Sequence, residues 1–167
     1  MKISVIGAGA MGGTTVEGLV KGNYFKNEDI TVADPNKQTL QKFRKMGVNV
    51  TEDNIEAAEK SDIVCVVVKP WLVEVVLRQI KDVLAPQRQI LVVVAAGVPS
   101  SSIEEWLGLS CPSLLLVIPN IAIAQMVSMT FIAPITASEK AIKIIVDIYN
   151  EMGGTLITDE AHLAAGT

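Results

Sequence analysis

The stretch Ile3-Ser4-Val5-Ile6-Gly7-Ala8-Gly9-Ala10-Met11-Gly12 joins a short apolar run to a spaced set of glycines. The run is typical of a buried strand, and we expect a helix over residues 11–21. Glycines at positions 7, 9 and 12 match G-x-G-x-x-G. Placed between a strand and a helix, this pattern predicts a loop that binds the pyrophosphate of a dinucleotide at the positive end of the helix. A glycine-rich turn without a ligand is the alternative.

Along the rest of the chain, short runs rich in β-branched residues alternate with segments of helical period. We expect strands over 3–6, 30–33, 48–50, 63–68, 90–94, 114–118, 129–133 and 155–158. We expect helices over 40–46, 72–84 and 141–152, and a short helix after a capping box formed by Ser101 and Glu104. Gly47 ends the first of these helices, and Gly153-Gly154 closes the helix over 141–152. This order predicts an α/β fold: a Rossmann-type, doubly wound, mostly parallel sheet with helices on both faces and an antiparallel edge near the C-terminus.

Composition narrows the possible classes of protein. The chain has 167 residues and carries 14 Lys and Arg against 18 Asp and Glu, a net charge of −4. This acidity and the 4% of aromatic residues argue against nucleic acid as a partner, because phosphates need clustered basic side chains and bases need stacking platforms. Cys65 and Cys111 form no disulfide framework and no metal motif appears, so we expect a reducing, cytoplasmic compartment.

Residues 106–138 carry no charged side chain, over a length that exceeds the roughly 20 residues needed to span a bilayer. Pro112, Pro119 and Pro134 divide the stretch into short pieces. The sequence therefore favours buried strands, and a face that another domain covers, over a membrane span. We expect residues 1–158 to form the dinucleotide-binding domain and residues 159–167 to open a further helix.

Asp34 follows the second expected strand and bears on the choice of cofactor. A carboxylate here accepts hydrogen bonds from the ribose hydroxyls of NAD and repels the 2′-phosphate of NADP. Lys37 is the nearby cation that could offset this repulsion. We predict NAD(H), slightly favoured over NADP(H). The alternative role for Asp34 is to cap the helix that follows it.

The carboxyl ends of the parallel strands form the ligand-binding edge of a doubly wound sheet. Candidate site residues therefore follow the fourth, fifth and sixth strands. They are Val68, Lys69 and Pro70, then Ala95, Ala96 and Gly97, and finally Asn120. The alternative interpretations are that Lys69 is a solvated lysine at a strand end, that Gly97 is a turn glycine, and that Asn120 is a loop asparagine whose hydrogen bonds are satisfied locally.

The glycine fingerprint, Val67-Val68-Lys69-Pro70, Val94-Ala95-Ala96-Gly97-Val98-Pro99 and Ile118-Pro119-Asn120 resemble, in that order, the amino-terminal domain of pyrroline-5-carboxylate reductase. Asn54 matches an asparagine that follows the third strand in that family, although it is equally an ordinary residue at the start of a helix. The resemblance covers nearly the whole chain. It departs after Asn120, where Ile121-Ala122-Ile123 replaces the Thr-Pro-Ala of the family.

This resemblance implies hydride transfer from NAD(P)H to the imine carbon of 1-pyrroline-5-carboxylate, a small-molecule substrate, to give L-proline. It implies that the cofactor-binding set is Gly7, Ala8, Gly9, Ala10, Met11, Gly12, Asp34, Asn54, Val68, Lys69, Pro70, Ala95, Ala96, Gly97 and Asn120. Asn54 would contact the adenosine end, and Asn120 would lie near the nicotinamide and the substrate. A further carboxy-terminal domain would form a homo-oligomer and supply the proton donor, so no catalytic residue is assigned. His162 is expected to be a bystander.

Two other functions remain open at this point. One is another two-domain NAD(P)-dependent dehydrogenase, of the 6-phosphogluconate, 3-hydroxyacid or prephenate type. The other is a non-enzymatic module that senses dinucleotides. Such a module would need a partner to cover the apolar end that we expect at residues 121–135.

Overall fold

Eight strands form one sheet in the computed structural model, which describes residues 1–163 except for the side chain of Ile121. They are β1 (Ile3–Ile6), β2 (Ile30–Ala33), β3 (Asn49–Thr51), β4 (Ile63–Val66), β5 (Ile90–Val93), β6 (Ser113–Ile118), β7 (Ser128–Pro134) and β8 (Gly153–Ile157). Their order is β3-β2-β1-β4-β5-β6-β7-β8, and every pair is parallel except β6 and β7. The predicted α/β sheet with its antiparallel pair is confirmed.

Helices cover both faces of this sheet, as the doubly wound pattern predicts. They are α1 (Ala10–Lys21), α2 (Lys37–Lys45), α3 (Asn54–Glu59), α4 (Val73–Ile80), α5 (Ser100–Leu107), α6 (Glu139–Asn150) and α7 (Glu160–Leu163). Buried side chains of α1, α2 and α6 form one core cluster, and those of α3, α4, α5 and α7 form the second on the opposite face. Strands β1, β4 and β5 are buried throughout, which explains why their sequences are apolar at every position or nearly so.

Some element boundaries differ from the expectation. Strand β4 ends at Val66, although the N–H of Val67 still donates to the carbonyl oxygen of Ile6 in β1 at 2.8 Å. The carbonyl group of Val67 and the side chain of Val68 lie against Gly7 in the glycine loop. The helix expected over 72–84 is shorter and is flanked by 3₁₀ turns at Pro70–Leu72 and Lys81–Val83. Helix α2 is capped by Asn36, and Gly47 follows it with φ +89°, as a glycine stop requires.

Two predicted helix ends are wrong. Helix α5 has Pro99 at its N-cap position and no side-chain hydrogen bond from that residue, so the capping box of Ser101 and Glu104 does not form. Gly153 and Gly154 begin strand β8 instead of closing α6. A side chain at Gly153 would overlap the backbone of Ser128 in the neighbouring strand, so the glycine is needed there for strand pairing.

The uncharged stretch over 106–138 contributes the adjacent strands β6 and β7 to the sheet. No helix in residues 1–163 combines the length and apolar character needed to cross a membrane. The expectation of an exposed apolar end at 121–135 is confirmed only in part. Ile123 is fully buried, because helix α1 packs against the 3₁₀ turn Ile121–Gln125. Ile132 is fully buried in strand β7, between β6 and β8. Val127 and Met129 remain exposed. Within the expected helix 159–167, α7 occupies Glu160–Leu163, and residues 164–167 lie outside the described part of the chain.

Candidate functional site

A groove of about 670 Å³ runs along the carboxyl ends of strands β1, β2, β4, β5 and β6. This is the edge of the sheet at which the sequence predicts a ligand. Twelve of the predicted site residues line the groove: Gly7, Gly9, Ala10, Met11, Gly12, Asp34, Asn54, Val68, Lys69, Pro70, Ala95 and Ala96. Ala8, Gly97 and Asn120 do not line it. The fold thus brings most of the predicted set together on one surface.

The three fingerprint glycines occupy positions with different steric demands. Gly7 has φ +102°, and a Cβ there would overlap the carbonyl oxygen of Val67. A Cβ on Gly12 would overlap the carbonyl oxygen of Gly7, so this glycine lets helix α1 lie close to the strand-end loop. A Cβ on Gly9 would meet no heavy atom within 4 Å. The space beside Gly9 is therefore open to a ligand.

Helix α1 presents an uncapped N-terminus to this space. Gly9 is the N-cap, no side chain caps the helix, and its first turn has no acidic residue. The first N–H groups of a helix have no acceptor within the helix and carry the positive end of its dipole. Together these features suit the binding of an anionic group such as a pyrophosphate.

Asp34 braces the glycine loop. Its Oδ2 accepts the backbone N–H of Ala8 at 2.9 Å, and its Oδ1 accepts the N–H of Asn36 at 2.8 Å. Asn36, whose Oδ1 accepts the N–H groups of Gln38 and Thr39, caps the helix that follows. The alternative role of Asp34 as the helix cap is therefore wrong. The brace to Ala8 was not visible in the sequence, because it depends on the loop folding back over the end of β2.

A second carboxylate, on Glu52, lines the groove near Asp34 and was also missed by sequence reasoning. Glu52 follows β3, whose end pairs with the end of β2, so the two acidic residues come from adjacent strands. Lys37 Nζ lies 3.9 Å from Glu52 Oε2, and both side chains are largely exposed. Lys37, which could offset the charge of a 2′-phosphate, is thus already close to the carboxylate of Glu52.

Asn54 is both the first residue of α3 and part of the groove wall. Its Nδ2 donates to Gln79 Oε1 at 2.9 Å, which joins α3 to α4. Leu72 and Val75 continue this wall and leave apolar surface exposed. The wall therefore combines a paired amide with apolar side chains, a surface that suits a flat polar ring.

The opposite end of the groove is formed by Lys69 and Pro70 after β4 and by Ala95 and Ala96 after β5. Gly97, with φ +79°, lies in an adjoining cavity of about 260 Å³. Asn120 caps the 3₁₀ turn that follows it, since its Oδ1 accepts the N–H of Ala122 at 2.9 Å. This local bond agrees with the interpretation of Asn120 as a loop asparagine with satisfied hydrogen bonds.

Among the described residues, the ionisable side chains of the groove are those of Asp34, Glu52 and Lys69. Residues 1–163 contain no cluster of three or more His, Cys, Asp or Glu that could hold a metal ion. Burial raises the pKa of the Cys65 thiol to about 12, so this thiol is protonated at neutral pH. His162 is exposed, and its ring Nδ1 lies 2.6 Å from Asp159 Oδ1 outside the groove.

Comparison with known proteins finds similarity to a family of oxidoreductases and to pyrroline-5-carboxylate reductases. A model of the family described as NADP oxidoreductase, coenzyme F420-dependent, matches residues 2–97. A pyrroline-5-carboxylate reductase of Methanosarcina acetivorans is 31% identical over 168 residues, which cover 99% of this chain and 62% of the relative. The solved structure of a pyrroline-5-carboxylate reductase from Coxiella burnetii superposes with a TM-score of 0.89 at 27% identity, over 97% of this chain and 60% of that one.

A pyrroline carboxylate reductase of Plasmodium falciparum, solved with NADP bound, has a TM-score of 0.86 at 23% identity, over 98% of this chain and 59% of that one. At that identity the likeness shows the fold alone. The chain spans about three fifths of the length of these three proteins. The similarity thus extends over nearly all of this chain but over only part of each relative.

Proposed function

The chain belongs to the family described as NADP oxidoreductase, coenzyme F420-dependent, and from this premise we propose that it is the cofactor-binding part of a pyrroline-5-carboxylate reductase. The observation that carries the proposal is the open helix N-terminus beside Gly9, in a groove that most of the predicted site residues line. The identity to the Methanosarcina acetivorans reductase over 99% of the chain supports the substrate class. The reaction would reduce the imine carbon of 1-pyrroline-5-carboxylate to give L-proline.

The residues of the chain would bind and orient the cofactor. The N–H groups at the start of α1 would hold the pyrophosphate, and Asp34 would accept hydrogen bonds from the adenosine ribose while it keeps the loop in shape. The wall formed by Asn54 and its neighbours would hold the adenine. A bound reduced nicotinamide supplies the hydride, and Lys69 and Ala95 would border it at the far end of the groove.

The remaining predicted residues have indirect or peripheral parts in this proposal. Ala8 would act through its N–H bond to Asp34, which fixes the loop. Gly97 and Asn120 would lie beyond the nicotinamide, towards the substrate. An Asn120→Ala variant that leaves cofactor affinity unchanged and raises the KM for the substrate in the complete enzyme would support that placement.

We further propose that NAD(H) is preferred over NADP(H). Asp34 and Glu52 place two carboxylates at the adenosine end of the groove, and Lys37 is already close to Glu52. A 2′-phosphate entering there would face like charges. In water, one pair of unit charges about 4 Å apart interacts by about 1 kcal/mol, or roughly a fivefold change in affinity.

Fluorescence titration with NADH and NADPH tests this preference. We expect tighter binding of NADH to the wild-type chain. Glu52→Gln should raise the affinity for NADPH about fivefold and leave that for NADH nearly unchanged, because it removes one repelling charge and frees Lys37. Glu28→Gln, at an exposed acid outside the groove, is the matched control. Tighter binding of NADPH by the wild-type chain would overturn the preference.

Imine reduction also needs a proton donor and groups that bind the substrate carboxylate. We propose that these come from a further domain following residue 158, through which the enzyme forms a homo-oligomer; the greater length of the relatives supports this. The chain alone should then bind NADH but form proline slowly. An assay of NADH oxidation with 1-pyrroline-5-carboxylate, on this chain and on a full-length reductase, tests the point. A full rate from the chain alone would refute it.

A further inference from the structure

The cap of helix α5 comes from a distant part of the chain. Pro99 precedes the helix and offers no capping side chain. Instead, the carboxylate of Glu160 accepts two hydrogen bonds from Ser100. Its Oε1 accepts the backbone N–H of Ser100 at 2.7 Å, and its Oε2 accepts the Ser100 hydroxyl at 2.5 Å. Ser100 is only 9% exposed, so water has little access to compete for these bonds. A carboxylate at the start of a helix is also favoured by the helix dipole.

Glu160 is held in position by its own neighbours. It is the first residue of α7, at whose start Asp159 Oδ1 accepts the N–H of His162 at 2.9 Å. Leu163, at the other end of this short helix, is buried in the core cluster that contains α5. The helix that carries Glu160 is therefore held by a hydrogen bond at its start and by the buried Leu163 at its end.

The contact anchors one end of the loop 95–97, which connects β5 to α5. Residues 96 and 97 form a turn, and in residues 1–163 no hydrogen bond joins the backbone of Ala95, Ala96 or Gly97 to another strand or helix. On the strand side, Val94 N–H donates to Val66 O at 2.9 Å. On the helix side, the loop leads through Pro99 to the Ser100 anchor. The position of the loop thus depends on its two ends, and Glu160 holds one of them.

The same loop separates two cavities. Ala95, Ala96 and Ile118 line both the groove and the smaller cavity of about 260 Å³ that Glu160 borders. A shift of the loop would therefore change the shape of the groove at this end. Asp34, beyond strands β4 and β1 in the sheet, would be unaffected.

We propose that Glu160 is a positioning residue, which caps α5, fixes the loop 95–97 and so shapes the nicotinamide end of the groove. The identity of the ligand rests on the proposed function, whereas the ordering of the loop does not. In this arrangement residues 158–163, which follow β8, are coupled to cofactor binding although none of them lines the groove.

NMR relaxation tests the ordering of the loop without any ligand. Glu160→Ala removes both bonds to Ser100, and Glu160→Gln keeps the shape of the side chain but loses the charge. The backbone order parameters of residues 95–98 should fall in both variants, most in Glu160→Ala. Glu105→Ala, at an exposed carboxylate on the same helix, should leave these order parameters unchanged. Unchanged order parameters in both Glu160 variants would overturn the proposal.

Binding separates a positional role from a general loss of structure. Glu160→Ala should weaken NADH about fivefold, the lower end of typical coupling between sites, and should change the affinity for ADP-ribose, which lacks the nicotinamide, by less than about twofold. Equal weakening of both ligands, or of neither, contradicts the proposal. If Glu160→Ala does not fold, the same ratio is measured on Glu160→Gln. Failure of the wild-type chain to bind either ligand would refute the proposed function instead, and the relaxation measurement would still test the loop.

Discussion

The brace between Asp34 and the glycine loop can be tested by removing a single acceptor. Asp34→Asn keeps the size of the side chain, but its amide group can accept only one of the two backbone N–H groups now bound, at 2.9 and 2.8 Å. At the other position, the side-chain amide N–H of the variant would face a backbone N–H, so two donors meet and no hydrogen bond forms. Ala8 is 7% exposed, so its N–H has little access to water as a substitute partner.

The expected loss of stability follows from these contacts. A hydrogen bond to a charged group contributes about 1.5–3 kcal/mol, and an unsatisfied buried donor costs a similar amount. Taking about 2 kcal/mol, and about 2–4 °C per kcal/mol for a chain of this size, we expect the Tm to fall by roughly 4–8 °C.

Thermal unfolding without ligand measures this effect separately from any contact between Asp34 and a ribose. The exposed Asp82, in the 3₁₀ turn Lys81–Val83, supplies the control variant Asp82→Asn, whose Tm should stay within about 1 °C of the wild type. Equal Tm values for the two variants would show that the carboxylate does not stabilise the loop. In that case Asp34 would matter only for the ligand.

Two further predictions follow from burial and close packing. Gly12→Ala should lower the Tm and abolish dinucleotide binding, because the new Cβ would overlap the carbonyl oxygen of Gly7. Gly13→Ala, whose Cβ would make ordinary contacts, should instead raise the free energy of unfolding by up to about 1 kcal/mol. Calorimetry and NADH titration distinguish the two variants, and equal losses of stability and binding would contradict the steric argument. Burial raises the pKa of Cys65 to about 12, so the unfolded chain releases this proton first, and the free energy of unfolding should fall as the pH rises from about 9 towards 12. Urea unfolding should show a shallower fall for Cys65→Ala; an identical slope would refute the assignment.

The parts of the fold that local pattern determines were predictable from the sequence. Strands β1 and β2 have the predicted limits, because an apolar run ends at a glycine or at Asp34. The glycine loop was predictable for the same reason, since the steric demands on Gly7 and Gly12 arise within a few residues of the fingerprint and of the strand end beside it.

Features that depend on distant contacts were not predictable. The cap of α5 comes from Glu160, 60 positions along the chain from Ser100, so the local pattern of Ser101 and Glu104 suggested the wrong cap. Glu52 reaches the groove only because β3 pairs with β2. Likewise, Ile123 is apolar in sequence whether it is exposed or covered by helix α1, and only the packing decides between the two.

The strand order also has a consequence for synthesis on the ribosome. Strand β1 is the first to emerge and lies inside the sheet, with β2 and β3 to one side of it and β4 to β8 to the other. Each later strand pairs with one that has already left the exit tunnel: β4 returns to β1, and every strand after it joins its immediate predecessor. Because the chain is synthesised from its amino-terminal end, each strand of this sheet emerges after the strand with which it pairs, and no earlier strand pair has to be broken to insert it.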